Sequence, residues 1–269
     1  MSQNSVQQFI RQYELFENDQ IQQTQLQHRY ALVEAFGIKK GMKVLEIGCG
    51  QGDTTVVLAD VVGENGHVTA VDIAPPDYGA PFTLGEAHER VNQSKLGDRI
   101  DFHLETDFLE MKLDKQYDAV VLSHCSWYFH DPAQLLAYFK RIRSISNILC
   151  FAEWDMQFEK ITQRGHFCAA SILALYSQFT ANDGNIQNLF GKSEIKKMIE
   201  DAGLKVDHEL RVDAHFLQDG QWEIDYAKEV TKEFAAAPVR IQTLVQNYAD
   251  MLDVEGKNES LDSFVIVAK

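Results

Sequence analysis

The sequence predicts an α/β fold in which a largely parallel sheet carries helices on both faces. Three observations support this. Apolar runs of strand length alternate with stretches of helical periodicity along most of the 269 residues. One junction, residues 44–53, passes from an apolar strand through Gly48, Gly50 and Gly52 directly into a helical stripe. Acidic or polar residues follow several of the apolar runs, as at Asp72, Asp107 and Ser123, where an open parallel sheet gathers its ligands.

The glycine junction organises the chain. Val44, Leu45 and Ile47 read as a short buried strand, and Val56, Val57, Leu58, Val61 and Val62 as the apolar side of the helix that follows. Glycine tolerates positive φ and lacks Cβ, so a ligand can lie against the backbone while the first N–H groups of the helix face it. A dinucleotide loop would read G-x-G-x-x-G; here the third glycine comes one residue early, and Glu46 stands two positions before the first. The string Val-Leu-Glu-Ile-Gly-Cys-Gly-Gln-Gly-Asp resembles motif I of the class I S-adenosylmethionine-dependent methyltransferases, small-molecule type. That cofactor has no phosphate and carries an ammonium and a sulfonium, which an acidic loop suits.

Composition narrows the partners. Formal net charge is −15, which discourages unaided binding to nucleic acid or anionic membrane, since both are polyanions. Cys49, Cys125, Cys150 and Cys168 form no C-x-x-C pair, so free thiols in a reducing cytoplasm are expected, with no metal site. No signal-peptide pattern is visible at the N-terminus, and no apolar stretch reaches the roughly 20 residues that span a bilayer. A small-molecule substrate is therefore expected, with no nucleic acid partner and no stable membrane insertion. Oligomeric state is not readable, and a homodimer stays open.

In chain order, Val6, Phe9, Ile10, Tyr13 and Phe16 fall at helical spacing. Asp19 is placed to cap a second helix carrying Ile21, Leu26, Tyr30, Val33 and Phe36. Residues 67–72 read as the second strand, ending at Asp72, whose carboxylate can accept both hydroxyls of an adenosine ribose. A proline-rich loop, 73–81, follows, and Thr83 with Glu86 forms a capping box for the next helix. Residues 101–104 read as strand three, 117–122 as strand four and 147–152 as strand five. Between the last two, Asp131-Pro132 starts a helix. Residues 156–190 fit no sheet unit; their apolar helix is stopped by 182–185. Ser193 caps a further helix closed by Gly203, residues 204–212 form strand six, 221–253 are helical with a break at Pro238, and 263–268 form a last buried strand.

The resemblance implies a Rossmann-like three-layer sandwich. Its seven-stranded sheet is mostly parallel with an antiparallel last strand, and N-terminal helices and a helical cap insertion are added. Residues 1–36 would be an N-terminal extension or lid, and 37–269 the methyltransferase domain, interrupted by the cap at about 156–190. It assigns the cofactor to Glu46, Gly48, Cys49, Gly50, Asp53, Asp72, Ile73, Thr106, Asp107, Phe108 and Ser123. Asp107 would bond the adenine amino group and Phe108 pack on its ring. The implied reaction moves a methyl group from the sulfonium to a small organic acceptor, an in-line displacement made largely by positioning. His124 and Glu153 are the candidates to take a proton from the acceptor. Trp127, Tyr128 and Trp154 are candidate substrate contacts, and Tyr13 a candidate lid contact. Two alternatives stay open: a cyclopropane-fatty-acid-synthase-like enzyme acting on lipid, and a non-catalytic protein that binds S-adenosylmethionine.

Overall fold

The computed structural model describes residues 3–113, 116–180, 182, 184 and 186–269. Two helices, α1 (Gln3–Tyr13) and α2 (Gln20–Phe36), precede the central strand β1 (Lys43–Ile47). From there α3 (Asp53–Val62), β2 (His67–Val71), α4 (Leu84–Asn92), β3 (Ile100–His103), β4 (Ala119–Ser123), α5 (Pro132–Ile145) and β5 (Leu149–Trp154) follow the expected alternation. The chain ends through α6 (Arg164–Phe179), α7 (Lys192–Asp201), β6 (Val206–Val212), α8 (Asp219–Val230), α9 (Val239–Ala249) and β7 (Ser263–Ala268).

The sheet has seven strands in the order β3-β2-β1-β4-β5-β7-β6. β1 pairs in parallel with β2 and β4, while β7 lies antiparallel between β5 and β6. This is the predicted fold class, a mostly parallel sheet with the last strand reversed. Alternation along β1 feeds two cores. Leu45 and Ile47 join a core shared with α5 to α9, and Val44 joins one shared with α1, α2 and α3.

Local signals act as their chemistry dictates. The Asp19 carboxylate accepts from Gln22 N at 3.0 Å, Asp131 from Ala133 N at 2.8 Å, and Thr83 and Glu86 complete the capping box. Some sequence expectations need correction. α7 starts at Lys192 with Gly191 as its cap, not at Ser193. Ile21, expected on the apolar stripe of α2, is exposed, because the helix buries its polar Gln25, His28 and Arg29 as well and its stripe is not the face that decides. β5 runs to Trp154, since Trp154 pairs with Ser263 of β7. Glu153 and Trp154 thus sit within the strand and are buried, not in a loop after it. The described residues of 156–190 lie outside the sheet as expected and supply α6; positions 181, 183 and 185, two of them in the expected stop segment, lie outside the described residues. No helix among the described residues is long and apolar enough to cross a membrane.

Candidate active site

At the end of β1 the chain turns through Gly48 and Gly50 at φ of 74° and 51°. A Cβ on Gly48 would lie 2.6 Å from the Cys125 Cβ, so only glycine lets the loop approach the segment after β4 this closely. A Cβ built on Gly50 would meet nothing within 4 Å, so at this position it is the positive φ that calls for glycine. The Gly50 N–H donates to Asp72 Oδ2 at 2.8 Å, and Ala74 N donates to Oδ1 at 2.9 Å. The tip of β2 is thereby clamped to the glycine loop. Each carboxylate oxygen of Asp72 keeps acceptor capacity for a ligand.

A cavity of about 420 Å³ opens at this edge. Its walls come from Gly48 and Gly50; Asp72, Ile73, Pro75 and Tyr78; Thr106 and Phe108; His124, Cys125, Tyr128 and Phe129; and Gly184 and Gln187 of the segment after α6. The proline-rich loop is therefore part of the pocket wall. The residues present fit S-adenosylmethionine. Asp72 stands free to accept from a ribose diol, Phe108 and Ile73 offer apolar faces, and among the described lining residues there is no Lys or Arg to hold a phosphate.

Of the sequence candidates, Gly48, Gly50, Asp72, Ile73, Thr106, Phe108, His124 and Tyr128 meet at this cavity. The others are placed elsewhere among the described residues. Glu46 is buried behind the loop and accepts from Thr55 Oγ1 at 2.6 Å, and burial pushes its carboxyl up to about 8. Cys49 and Ser123 are buried. Asp53 lines a separate cleft with Phe16, Asp19 and Gln22. Asp107 Oδ1 is taken by Leu109 N at 2.8 Å and Tyr138 Oη at 2.9 Å, leaving Oδ2 for any ligand. Trp127 is buried, and its carbonyl accepts from Gln187 N at 2.8 Å and Asn188 N at 3.1 Å, anchoring the inserted segment. Tyr13 packs in the core and donates to Asp60 Oδ1 at 2.6 Å, away from the cavity wall.

Behind the cavity lies a buried polar chain that the sequence did not disclose. Arg29 donates to His28 Nδ1 at 3.2 Å; His28 Nε2 is 3.0 Å from Ser263 Oγ, which is 3.0 Å from His124 Nε2. Arginine has no acceptor, so His28 Nδ1 is unprotonated and Nε2 carries the proton. Ser263 then accepts from His28 and donates to His124 Nε2. His124 Nδ1 is left as the N–H that faces Glu153 Oε1 at 3.3 Å, in a poorly directed contact. Burial pushes both imidazoles below the usual histidine range. Glu153 Oε2 accepts from Ser126 N at 3.1 Å and Ser126 Oγ at 2.7 Å. Trp154 packs among these rings, 4.4 Å from His124 and stacked on His28 at 6.2 Å. His124 itself sits at φ 52° with its N–H on Ala152 O. Such backbone strain in a non-glycine residue concentrates at functional sites.

Sequence reasoning missed His28, Arg29, Ser263, Tyr78, Tyr138 and Gln187. The polar residues of α2 gave no signal in the sequence, since Gln25, His28 and Arg29 are buried while Gln20, Gln27 and Glu34 of the same helix are exposed.

A family profile described as a methyltransferase domain matches residues 19–209. Over its whole length the chain is similar to the crystal structure of a cyclopropane-fatty-acyl-phospholipid synthase-like protein from Lactobacillus casei. Identity is 33%, the match covers 100% of each chain, and the TM-score is 0.88. It is 36% identical over 112 residues to methyltransferase phomM of Diaporthe leptostromiformis, which is 35% of this chain and 29% of that protein. It is 25% identical over 182 residues to the ubiquinone/menaquinone biosynthesis C-methyltransferase of Haemophilus ducreyi, which is 64% of this chain and 68% of that protein. The match to phomM thus spans less than a third of phomM's own length.

Proposed function

This chain belongs to the methyltransferase-domain family, and from that premise we propose that it transfers a methyl group from S-adenosylmethionine to a small organic acceptor. The observation that carries the reading is the clamp of Asp72 on Gly50 at the mouth of a cavity of about 420 Å³, a volume in the range of small-ligand sites. Gly48, Gly50, Asp72, Ile73, Thr106 and Phe108 would hold the cofactor, with Asp107 Oδ2 reachable by the adenine amino group. When bound, the cofactor supplies an activated methyl on a sulfonium.

The chain's own residues then do three things. The glycine loop and Asp72 fix one partner of the displacement, so that a two-body step acts as a one-body step. The buried cluster behind His124 keeps water from that end of the cavity. His124 receives the acceptor's proton where the acceptor must lose one. For this the imidazole must part from Ser263 so that Nε2 faces the cavity, and Glu153 steadies the resulting imidazolium. Tyr128, at the mouth, is the substrate contact best placed by its position on the wall, and Trp154 acts by packing His124.

Residues 1–36 are read as an extension that stabilises the sheet layer, 37–269 as the methyltransferase domain, and 156–190 as its cap, since Gly184 and Gln187 reach the cavity. A cytoplasmic setting is supported by the four cysteines, which are free and buried. The net charge of −15 supports a small molecule over nucleic acid. It also weighs against a lipid acceptor drawn from an anionic bilayer. Incubation with methyl-labelled S-adenosylmethionine and fractionated small metabolites tests the reading. Label should pass into a small-molecule fraction; label found only in lipid would replace it with the lipid reading.

A further inference from the structure

α4 buries a polar side chain where its pattern calls for an apolar one. The buried face of the helix is Leu84, His88 and Val91, spaced as a single stripe. His88 is 4% exposed, and its Nδ1 is buried with no partner. A leucine would fill the stripe without leaving a buried acceptor unpaired, which is costly. What the imidazole adds is one bond. Its Nε2 lies 2.7 Å from the carbonyl oxygen of Gly50. A carbonyl only accepts, so Nε2 carries the proton and Nδ1 the bare lone pair. Burial holds the ring below the usual histidine range and so keeps it in this neutral form. The ring also stacks on Phe102 of β3, with centroids 3.8 Å apart and planes at 14°. Phe102 in turn backs the glycine loop, since a Cβ on Gly52 would lie 3.3 Å from its ring.

Gly50 is thereby held on both sides. Its N–H donates to Asp72 Oδ2, and its carbonyl accepts from His88. Two further bonds tie the loop and α4 to the proline-rich segment. Gln51 Nε2 donates to Phe82 O at 2.6 Å, and Leu84 N donates to Tyr78 O at 2.9 Å. That segment and the start of α4 give Ile73, Pro75, Tyr78 and Leu84 to the cavity wall. We propose that His88 is a positioning residue for the adenosine half of the cofactor. Through the Gly50 carbonyl it fixes the glycine loop, and through the Gly50 N–H it fixes the Asp72 carboxylate where a ribose would meet it. This rests on the methyltransferase reading.

Calorimetry on the wild type, His88→Phe and His88→Gln tests the proposal. The probes are S-adenosylhomocysteine and 5′-methylthioadenosine, which keeps the adenosine half and lacks the amino-acid portion. His88→Phe keeps a ring against Phe102 and loses the donor, while His88→Gln keeps a donor and loses the ring. His88→Phe should weaken both ligands alike by at least about threefold, and His88→Gln should bind both more tightly than His88→Phe does. A merely structural role predicts a lower melting midpoint in His88→Phe with both affinities changed by less than about threefold, and that result overturns the proposal. So does a loss confined to S-adenosylhomocysteine, which would place the effect at the amino-acid end, or a His88→Gln that binds no better than His88→Phe. Should the variants not fold, the wild type decides through solvent exchange of the His88 Nε2 proton, followed by nuclear magnetic resonance. A bond that favours the ligand must be favoured by the ligand in return. Saturating S-adenosylhomocysteine should therefore slow that exchange by at least about threefold, and a smaller change overturns the proposal. Failure of the wild type to bind S-adenosylhomocysteine at all would instead remove the methyltransferase reading on which this stands.

Discussion

Glu153 stands directly behind His124, its Oε1 3.3 Å from the imidazole Nδ1, and both side chains are buried. The pair is built by the sheet. His124 follows the last residue of β4, and Glu153 is the penultimate residue of the neighbouring β5, where parallel pairing brings Ser123 level with Ala152. With Ser263 on the other nitrogen, the imidazole is held on both sides, and Nε2 offers its lone pair to an acceptor only once the ring parts from Ser263. His124→Gln is therefore expected to lower release of S-adenosylhomocysteine in the metabolite assay by at least about 100-fold while cofactor affinity changes less than about threefold. Equal turnover in the variant would remove His124 from the chemistry.

The two buried imidazoles should also shape acid stability. Burial lowers His28 and His124 in the folded protein, whereas the unfolded chain titrates them near 6.5. Below that pH the unfolded state binds more protons than the folded one. Their stability contribution is thus complete above about pH 6.5 and is lost as pH falls toward the depressed folded values. Thermal melts from pH 7 to pH 5 should show a falling midpoint, and His28→Gln should flatten the fall. A variant as acid-sensitive as the wild type would contradict the buried neutral pair.

Glu46 works in the opposite sense. Its carboxyl is pushed from 4.5 up to about 8 by burial, so the folded state keeps a proton that the unfolded state has shed. Stability is highest below the unfolded value and declines as pH rises through the window up to about 8, by roughly 1.4 kcal/mol per pH unit at most. Glu46→Gln, which keeps an acceptor for Thr55, should melt higher than the wild type at pH 7.5 and no higher at pH 4. A lower midpoint at both values would show that Glu46 is held as a carboxylate.

The N-terminal helix is expected to matter for the fold more than for the pocket. Phe9 is 2% exposed and packs on Tyr13 and Tyr30, both of which donate to Asp60. Phe9→Ala should cost about 3–5 kcal/mol of unfolding free energy by denaturant titration, with affinity for S-adenosylhomocysteine within about twofold. The reverse pattern, intact stability with lost affinity, would restore α1 as a lid.

What could be read from the chain without coordinates follows its physics. Gly48, Gly50 and Asp72 were legible because their roles are local: a turn that needs positive φ, and a strand that ends at an acid. The alternation of strands and helices was legible from its periods, and the mostly parallel sheet with a reversed last strand followed from the resemblance. The place of Tyr13 beside Asp60 was not legible, because an amphipathic stripe says that a helix packs, not which side of the sheet it covers. Glu153 and Trp154 were read one step too far along because β7, nearly a whole chain-half away, extends β5 by pairing with it. His28, Arg29 and Ser263 were invisible for the same reason. Their chain joins α2, β7 and the end of β4, and no spacing along the sequence encodes a contact between residues 235 apart such as His28 and Ser263.

The central claim is that the cavity beside Asp72 takes S-adenosylmethionine, and calorimetry tests it most directly. S-adenosylmethionine and S-adenosylhomocysteine should bind the wild type and NAD should not. Asp72→Ala, which removes charge-assisted hydrogen bonds worth about 1.5–3 kcal/mol each, should weaken S-adenosylhomocysteine by at least about tenfold with the fold intact. Tight binding of NAD with none of the sulfonium cofactor or its product, or an Asp72→Ala variant that binds S-adenosylhomocysteine as well as the wild type, would contradict it.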